Sequence, residues 1–134
     1  IAALSASEVM TLQLVLRTEV VPVAELRRKG EGIQGYQLVH RHLAPFEEDG
    51  QPVVDQMTAA YIDNWVRLGL VTVDYGIFSS AEGAYSWVEE RPEFLSLKGR
   101  LLEGQRLDFQ RGVLRVTAFG TAFATAAGVY SVGT

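Results

Sequence analysis

The chain has 134 residues, 48% of them hydrophobic, and it carries 12 basic against 16 acidic side chains. This length is typical of one domain, and this apolar content suffices for one buried core. The formal net charge of −4 argues against a nucleic-acid binder, which usually has a basic excess, and a sequence without cysteine has no disulfide or thiolate metal site.

The chain begins at Ile1 rather than at a methionine, so we expect it to be the C-terminal part of a longer protein. No signal-peptide pattern is present, and no apolar run approaches the ~20 residues that span a bilayer. We therefore expect a single domain over residues 1–134 with no membrane segment of its own.

The first predicted element is a helix. Ser5 and Glu8 have the spacing of a capping box, and Leu4 with Val9 has that of a hydrophobic staple. We expect the helix to end near residues 17–19, with a buried stripe formed by Val9, Leu12, Val15 and Leu16.

Strand-forming residues follow. Val20–Leu26 contains Pro22, which predicts an edge strand or an extended approach to a short helix. Gly30–Gly35 matches a dinucleotide-loop pattern in letters, but no helix follows it, so we interpret it as a loop or hairpin tip. Tyr36–Leu43 is a predicted strand with Tyr36, Leu38 and His40 on one side, and residues 44–52 form a polar loop.

A central amphipathic helix is predicted from Val53 to Leu68, and Gly69 closes it before a short strand over residues 70–73. The apolar residues at helical spacing predict one buried face, made of Val54, Met57, Tyr61, Trp65 and Leu68.

Two helical pieces are predicted next, one capped by Ser79 or Ser80 and the other after Pro92. Their inward residues are expected to be Tyr85, Val88, Phe94, Leu97, Leu101 and Leu102. Gln105–Val116 then predicts a hairpin with its turn at Arg111-Gly112, because apolar residues alternate on both sides of that dipeptide.

Thr117 is a predicted N-cap of a last helix that ends at Gly128, and Phe119, Phe123 and Ala126 are expected to face inward. Gly120 lies in the middle of this helix, which predicts a close approach to a neighbour. The element order predicts an α+β fold: a winged-helix-like domain with an inserted helical segment before the wing hairpin and a C-terminal helix.

Candidate sites are few. His40 and His42, near the acidic residues 47–49, are weak candidates for a metal site, and we predict neither a metal nor another cofactor. No catalytic motif is present, so we expect no enzymatic activity. The predicted interaction surface lies on the hairpin, on the central helix and before the glycine-rich loop, and comprises Arg106, Arg111, Arg115, Asn64, Arg67, Arg27, Arg28 and Lys29.

Two uses of that surface stay open. The more favoured use is contact with a protein: a separate partner, another domain of the parent chain, or a second copy in a homodimer. The alternative is DNA binding by the 105–116 hairpin and the 53–68 helix, which the acidic net charge disfavours.

Three stretches together resemble the abortive infection alpha (Abi-alpha) family of bacterial proteins associated with phage resistance. They are Leu4–Val15 (LSASEVMTLQLV), Tyr61–Val71 (YIDNWVRLGLV) and Leu114–Phe123 (LRVTAFGTAF), where Ala118 replaces the usual proline of the family ending. The resemblance implies the C-terminal domain of a cytoplasmic bacterial defence protein. The net charge and the predicted architecture, rather than the resemblance, lead us to expect an interaction or sensing module. The resemblance carries no catalytic residues over to this chain.

Overall fold

The computed structural model describes residues 6–54 and 56–126. It has a mixed α+β fold, with a four-stranded antiparallel sheet, a two-stranded sheet and four helices. In chain order the elements are α1 (Ala6–Thr18), β1 (Val20–Gly30), β2 (Gln37–Leu43), β3 (Glu47–Glu48), β4 (Gln51–Pro52), α2 (Thr58–Arg67), β5 (Val71–Asp74), α3 (Pro92–Lys98), β6 (Gln105–Val116) and α4 (Ala118–Ala126). None of the helices within these residues is long and apolar enough to cross a membrane.

The main sheet has the strand order β2–β1–β6–β5. Its centre is the pairing of β1 with β6, which runs without interruption from Val20↔Arg115 to Gly30↔Gln105. β2 extends the sheet beside the second half of β1, and β5 extends it beside the second half of β6. The glycine-rich segment connects β1 to β2 as a hairpin loop, as predicted.

The predicted hairpin over residues 105–116 is wrong, because β6 is one continuous strand of 12 residues. Gly112 does not turn the chain. It pairs with Val23 of β1 and lies under the ring of Tyr75, where an added Cβ atom would be 2.5 Å from Cδ1. Gly112 is therefore needed because the Tyr75 side chain packs closely against it. The alternation of apolar residues on both sides of Arg111-Gly112 does not show whether the glycine makes room for a side chain or forms a turn.

The edge-strand prediction for Val20–Leu26 is also wrong, since β1 pairs on both sides. Pro22 is nevertheless tolerated for the predicted reason. It lies beyond the last β1–β2 pair, Ala24↔Leu43, so at that position β1 pairs only with β6. A residue without a backbone N–H costs no hydrogen bond on an open side.

Two apolar clusters cover opposite faces of the sheet. The larger lies between α1, α2, α4 and the sheet, and includes Leu12, Val15, Leu16, Val21, Val23, Ile62, Trp65, Leu70, Leu114 and Ala124. The smaller lies under the segment that joins β5 to β6, and consists of Ala24, Leu26, Leu43, Tyr85, Val88 and Phe94. The segments 53–73 and 105–126 thus share one body, as expected.

The predicted stripe of α1 is confirmed, while its predicted cap at Ser5 and its staple through Leu4 lie outside the described residues. In α2 the helix starts later than predicted, at Thr58, and Val54 and Met57 are 57% and 52% exposed instead of buried. The preceding chain is held away from the helix because the N–H of Val53 donates to the carbonyl of Phe46.

The end of α2 is confirmed in detail. Gly69 has φ +80°, its N–H donates to the carbonyl of Val66, and the N–H of Leu70 donates to that of Trp65. These two bonds form a Schellman motif, which satisfies carbonyls that the helix end leaves unpaired. The chain turns from it directly into β5.

Between β5 and β6 the two predicted helices are only partly formed. The first is replaced by turns and a short 3₁₀ helix, Val88–Glu90, because Gly83 takes φ +75° and ends any regular helical path there. The second is α3, which begins at Pro92. The expected burial of Tyr85, Val88 and Phe94 is confirmed, but Leu102 is 69% exposed.

In α4 the cap is confirmed, since Thr117 Oγ1 accepts the N–H of Gly120 at 2.8 Å. Gly120 and Ala124 form its buried side, and the carbonyl of Leu70 lies against Gly120. Phe119 and Ala126 are therefore exposed, against the prediction, because they point to other sides of the same helix.

Candidate functional site

The eight residues of the predicted surface do not form one patch. Arg106 lies on the opposite face of β6 from Arg111 and Arg115, because side chains alternate along a strand. Arg106 and Arg115 are also separated by about 30 Å of extended strand. No wing tip exists at Arg111, whose guanidinium lies 4.0 Å from the ring centroid of Phe78.

The basic side chains of β1 have partners within the chain. Arg27 pairs with Glu25 at 2.6 Å and lies over the ring of Tyr36. Lys29 pairs with Asp108 at 3.1 Å, and its ammonium group lowers the pKa of that carboxyl below the ordinary value.

Three further members also bond locally. Arg28 donates to Gln37 at 2.6 Å, Asn64 donates to Glu8 at 2.8 Å, and Arg67 donates to Asn64. The positive charges are thus spread over separate places instead of forming one basic field, and Arg27 and Lys29 are paired with acidic neighbours, so the DNA-binding alternative gains no support. The eight residues stay a predicted surface for protein contact.

His40 and His42 do not act as a pair. The β1–β2 register shifts between Leu26↔His40 and Ala24↔Leu43, so a bulge separates the two histidines. His40 lines a groove of about 420 Å³ beside Glu93 and α3. Among the described residues no cluster of three histidine, aspartate or glutamate side chains is arranged to hold a metal ion.

His42 lies at the bulge and is 6% exposed. Its Nδ1 atom is 2.9 Å from the hydroxyl oxygen of Tyr75, and its Nε2 atom is 2.9 Å from Oδ1 of Asp63. The backbone N–H of His42 donates to the same hydroxyl at 3.2 Å, and the two rings stack. Arg41 donates to the same Asp63 oxygen at 2.8 Å. We call His42, Tyr75, Asp63 and Arg41 the His42 network; it joins β2, α2 and the end of β5.

The protons of the network can be assigned from its donors. The Asp63 carboxylate only accepts, so in a neutral imidazole the ring proton sits on Nε2 and donates to Asp63. Nδ1 then accepts the hydrogen of the Tyr75 hydroxyl, whose oxygen also accepts the backbone N–H of His42. Burial lowers the pKa of His42 from its ordinary value of 6.5, against the opposing effect of the Asp63 hydrogen bond. The imidazole is therefore neutral at pH 7.

A tyrosine, a histidine and an aspartate in line resemble a nucleophile with its base and orienting group. Two observations argue against that use. Burial raises the pKa of the Tyr75 hydroxyl above its ordinary value, which keeps it protonated and unreactive. The grooves of about 210, 340 and 420 Å³ in the described part of the chain are lined by other residues. The His42 network is better suited to holding β2, α2 and the end of β5 together than to catalysing a reaction.

Sequence reasoning did not find this network. Asp63 and Tyr75 are 21 and 33 positions away from His42, and no spacing pattern links them to it. The one available signal was a pair of histidines in a predicted strand, which suggested a metal rather than a tyrosine partner.

The outer side of α4 is the other unusual feature. Residues 117–126 contain no charged side chain, and Phe119 is 60% exposed. Its ring is 6.5 Å from that of Phe123 and borders Gly69 at the end of α2. A surface helix normally presents charged or polar residues to water. We call residues 118–126 with their exposed Phe119 the α4 face.

The fold is similar to a solved structure described as that of an uncharacterized protein from the hydrocarbon-degrading marine bacterium Alcanivorax borkumensis SK2. The two share 17% sequence identity and a TM-score of 0.56, over 96% of this chain and 89% of the other. At this identity the likeness concerns the fold alone. No curated protein matches the sequence.

The sequence matches the profile of the family described as abortive infection alpha over residues 1–127. This match includes all three stretches that carried the resemblance, and it extends over nearly all of the chain. The chain belongs to the abortive infection alpha family.

Proposed function

We propose that this domain is a non-catalytic interaction module of an abortive-infection protein, and that it pairs with a second copy of itself through the α4 face. The observation that carries the proposal is an uncharged helix whose Phe119 is 60% exposed. Exposed apolar side chains gathered on one element are typical of protein contact sites.

The absence of charge on α4 identifies the kind of partner. A charged surface placed against it would lose hydration without gaining an ion pair, which costs several kcal/mol. The partner surface must therefore be uncharged and apolar as well. The α4 face of a second copy has this property, and a two-fold axis would bring the two equal faces together. Each copy carries a net charge of −4, so a contact free of charges also minimises repulsion between them.

The non-catalytic part of the proposal has separate support. The Tyr75 hydroxyl is held protonated, and Arg27 and Lys29 are paired with acidic side chains. The proposal keeps the cytoplasmic location and the phage-resistance context that the family resemblance implies.

The winged-helix interpretation also belongs to this proposal. Without β2, β3, β4 and α3, the order of α1, β1, α2, β5 and β6 along the chain is helix, strand, helix, strand, strand. β6 lies between β1 and β5 in the sheet. In this interpretation the segment between β5 and β6 takes the place of the wing, and β2 with the β3–β4 hairpin takes the place of the second helix.

The experiment is light scattering combined with sedimentation, on the wild type and on Phe119→Glu. We expect a wild-type dimer, and at least a tenfold weaker dimer in the variant, because a buried carboxylate would face an apolar surface. Leu102→Glu is the matched control, since Leu102 is 69% exposed in the chain before β6. A monomeric wild type, or equal effects of the two substitutions, would overturn the pairing.

A further inference from the structure

The junction of β2, α2 and β5 is held by a residue in an unfavourable backbone conformation. Three described residues other than glycine have positive φ: Glu19, His42 and Asp49. His42, at φ 53°, is the buried one of these three. A left-handed conformation is unfavourable for a residue that carries a side chain, so the contacts around it must hold it in place.

Those contacts depend on one protonation state. In the neutral ring Nδ1 accepts from Tyr75 and Nε2 donates to Asp63. In the neutral ring the Tyr75 O–H donates to Nδ1. A proton added at Nδ1 would point at this hydroxyl hydrogen, so the Tyr75 O–H would have to turn away and lose its acceptor. The hydroxyl would then accept two N–H groups of the same residue, the ring Nδ1–H and the backbone N–H.

The charged groups around the ring come from every element of the junction. Arg41 on β2 has Nη2 3.4 Å from Nε2 and shares Oδ1 of Asp63 with it, so an imidazolium would compete with the guanidinium for one oxygen. Asp63 on α2 and Glu25 on β1 favour the charged ring, and Tyr75 contributes no charge while it stays protonated.

We propose that the His42 network is a proton-operated latch: the neutral imidazole closes the junction between β2, α2 and Tyr75, and protonation of His42 opens it locally and reversibly. The device is independent of the α4 face, so either proposal can fail without the other.

The direction of the pH effect follows from the pKa. Burial, the largest effect, lowers the pKa of folded His42 below its ordinary 6.5. The closed junction therefore has its full stability above about pH 6.5, and loses it as the pH falls towards the lower pKa of the folded form. For each unit by which the two pKa values differ, the opening equilibrium constant rises about tenfold.

His40 complicates any measurement of total stability. Burial also lowers the pKa of His40, which faces Glu93 and Arg91. A global unfolding curve would sum the two histidines, so the test needs a signal from the junction itself.

The experiment is an NMR titration of the wild type between pH 8 and 4.5, which follows the ring of His42, the ring of Tyr75 and the exchange rate of the His42 amide. We expect His42 to titrate below pH 6.5, the Tyr75 resonances to shift with the same midpoint, and the amide to lose at least tenfold protection through that midpoint. A His42 that titrates at or above 6.5, or without any change at Tyr75 and the amide, would overturn the latch.

Tyr75→Phe supplies the second arm, because it keeps the stacked ring and removes the hydroxyl. We expect the His42 midpoint to rise and the amide to be less protected at neutral pH. Tyr85→Phe is the matched control: its buried hydroxyl donates to the carbonyl of Gly112 at 2.8 Å, so the substitution loses a comparable bond that involves none of the hydrogen-bonding groups of His42, Asp63 and Arg41. An identical His42 titration in both variants would contradict the proposal.

Discussion

At Gly120 the absence of a Cβ atom allows α4 to pack against the backbone of Leu70. The carbonyl oxygen of Leu70 lies so close to the Cα atom of Gly120 that an added methyl group would overlap the oxygen. The cap at Thr117 holds the start of α4 in this position. Helix propensity and packing therefore make opposite demands at this residue.

We predict that Gly120→Ala destabilises the protein by about 1–3 kcal/mol, the usual cost of overpacking, although Ala is favoured over Gly by ~1 kcal/mol in an unconstrained helix. Urea unfolding measures the difference. Ala122→Gly, at an exposed site of α4, is the control and should lose only the propensity difference. A more stable Gly120→Ala variant would show that α4 and β5 are not in contact here.

At the scale of elements, the end of α2 sets the direction of β5. The Schellman motif needs a residue in the left-handed conformation at position 69, which Gly69 provides. Its two hydrogen bonds fix the direction in which the chain leaves α2, so that Leu70 leads directly to Val71↔Val116, the first pair of β5 with β6. The motif therefore positions the strand that carries the chain to Tyr75.

We predict that Gly69→Val destabilises the protein by roughly 1–2 kcal/mol and Gly69→Asn by less, since Asn enters the left-handed region more readily. Space is not the cause, because an added Cβ would meet only Phe119 Cδ2 at 3.8 Å. Thermal unfolding of the two variants checks this. Equal losses would assign the effect to side-chain size instead of backbone conformation.

At the scale of the whole molecule, Arg91 connects the segment between β5 and β6 to the two-stranded sheet of β3 and β4. It is 5% exposed and donates to the carbonyls of Phe46 and Val53, on either side of the β3–β4 hairpin. Glu93 pairs with it at 2.8 Å and balances its charge. One buried guanidinium thus holds the hairpin against the start of α3.

We predict that Arg91→Met destabilises the protein by roughly 3–5 kcal/mol, because it removes the guanidinium partner of the Glu93 carboxylate and the Arg91 donor to the carbonyl of Val53. The carbonyl of Phe46 keeps the N–H of Val53 as a donor. Arg100→Met, on the exposed rim of the neighbouring groove, is the control and should change stability by less than about 0.5 kcal/mol. Similar urea midpoints for the two variants would mean that the hairpin is held by other contacts.

The sequence by itself determined the features that depend on local conformational preference. Gly69 ends a helix because it takes positive φ easily, Thr117 caps one because its oxygen accepts a nearby N–H, and both were predicted correctly. The α+β class and the family were also predicted, since they follow from element types and from motifs within single stretches.

Only the tertiary structure decided how distant segments pair. Alternating apolar residues in 105–116 suit a hairpin and a long strand equally, and the choice was made by pairing with β1, whose partner residues lie 75 to 95 positions earlier in the chain, from Gly30↔Gln105 to Val20↔Arg115. The bonds of His42 to Asp63 and of Arg91 to the carbonyl of Phe46 likewise join groups that lie 21 and 45 positions apart. Hydrogen bonds and close packing at such separations depend on three-dimensional distance, which no local pattern of residues encodes.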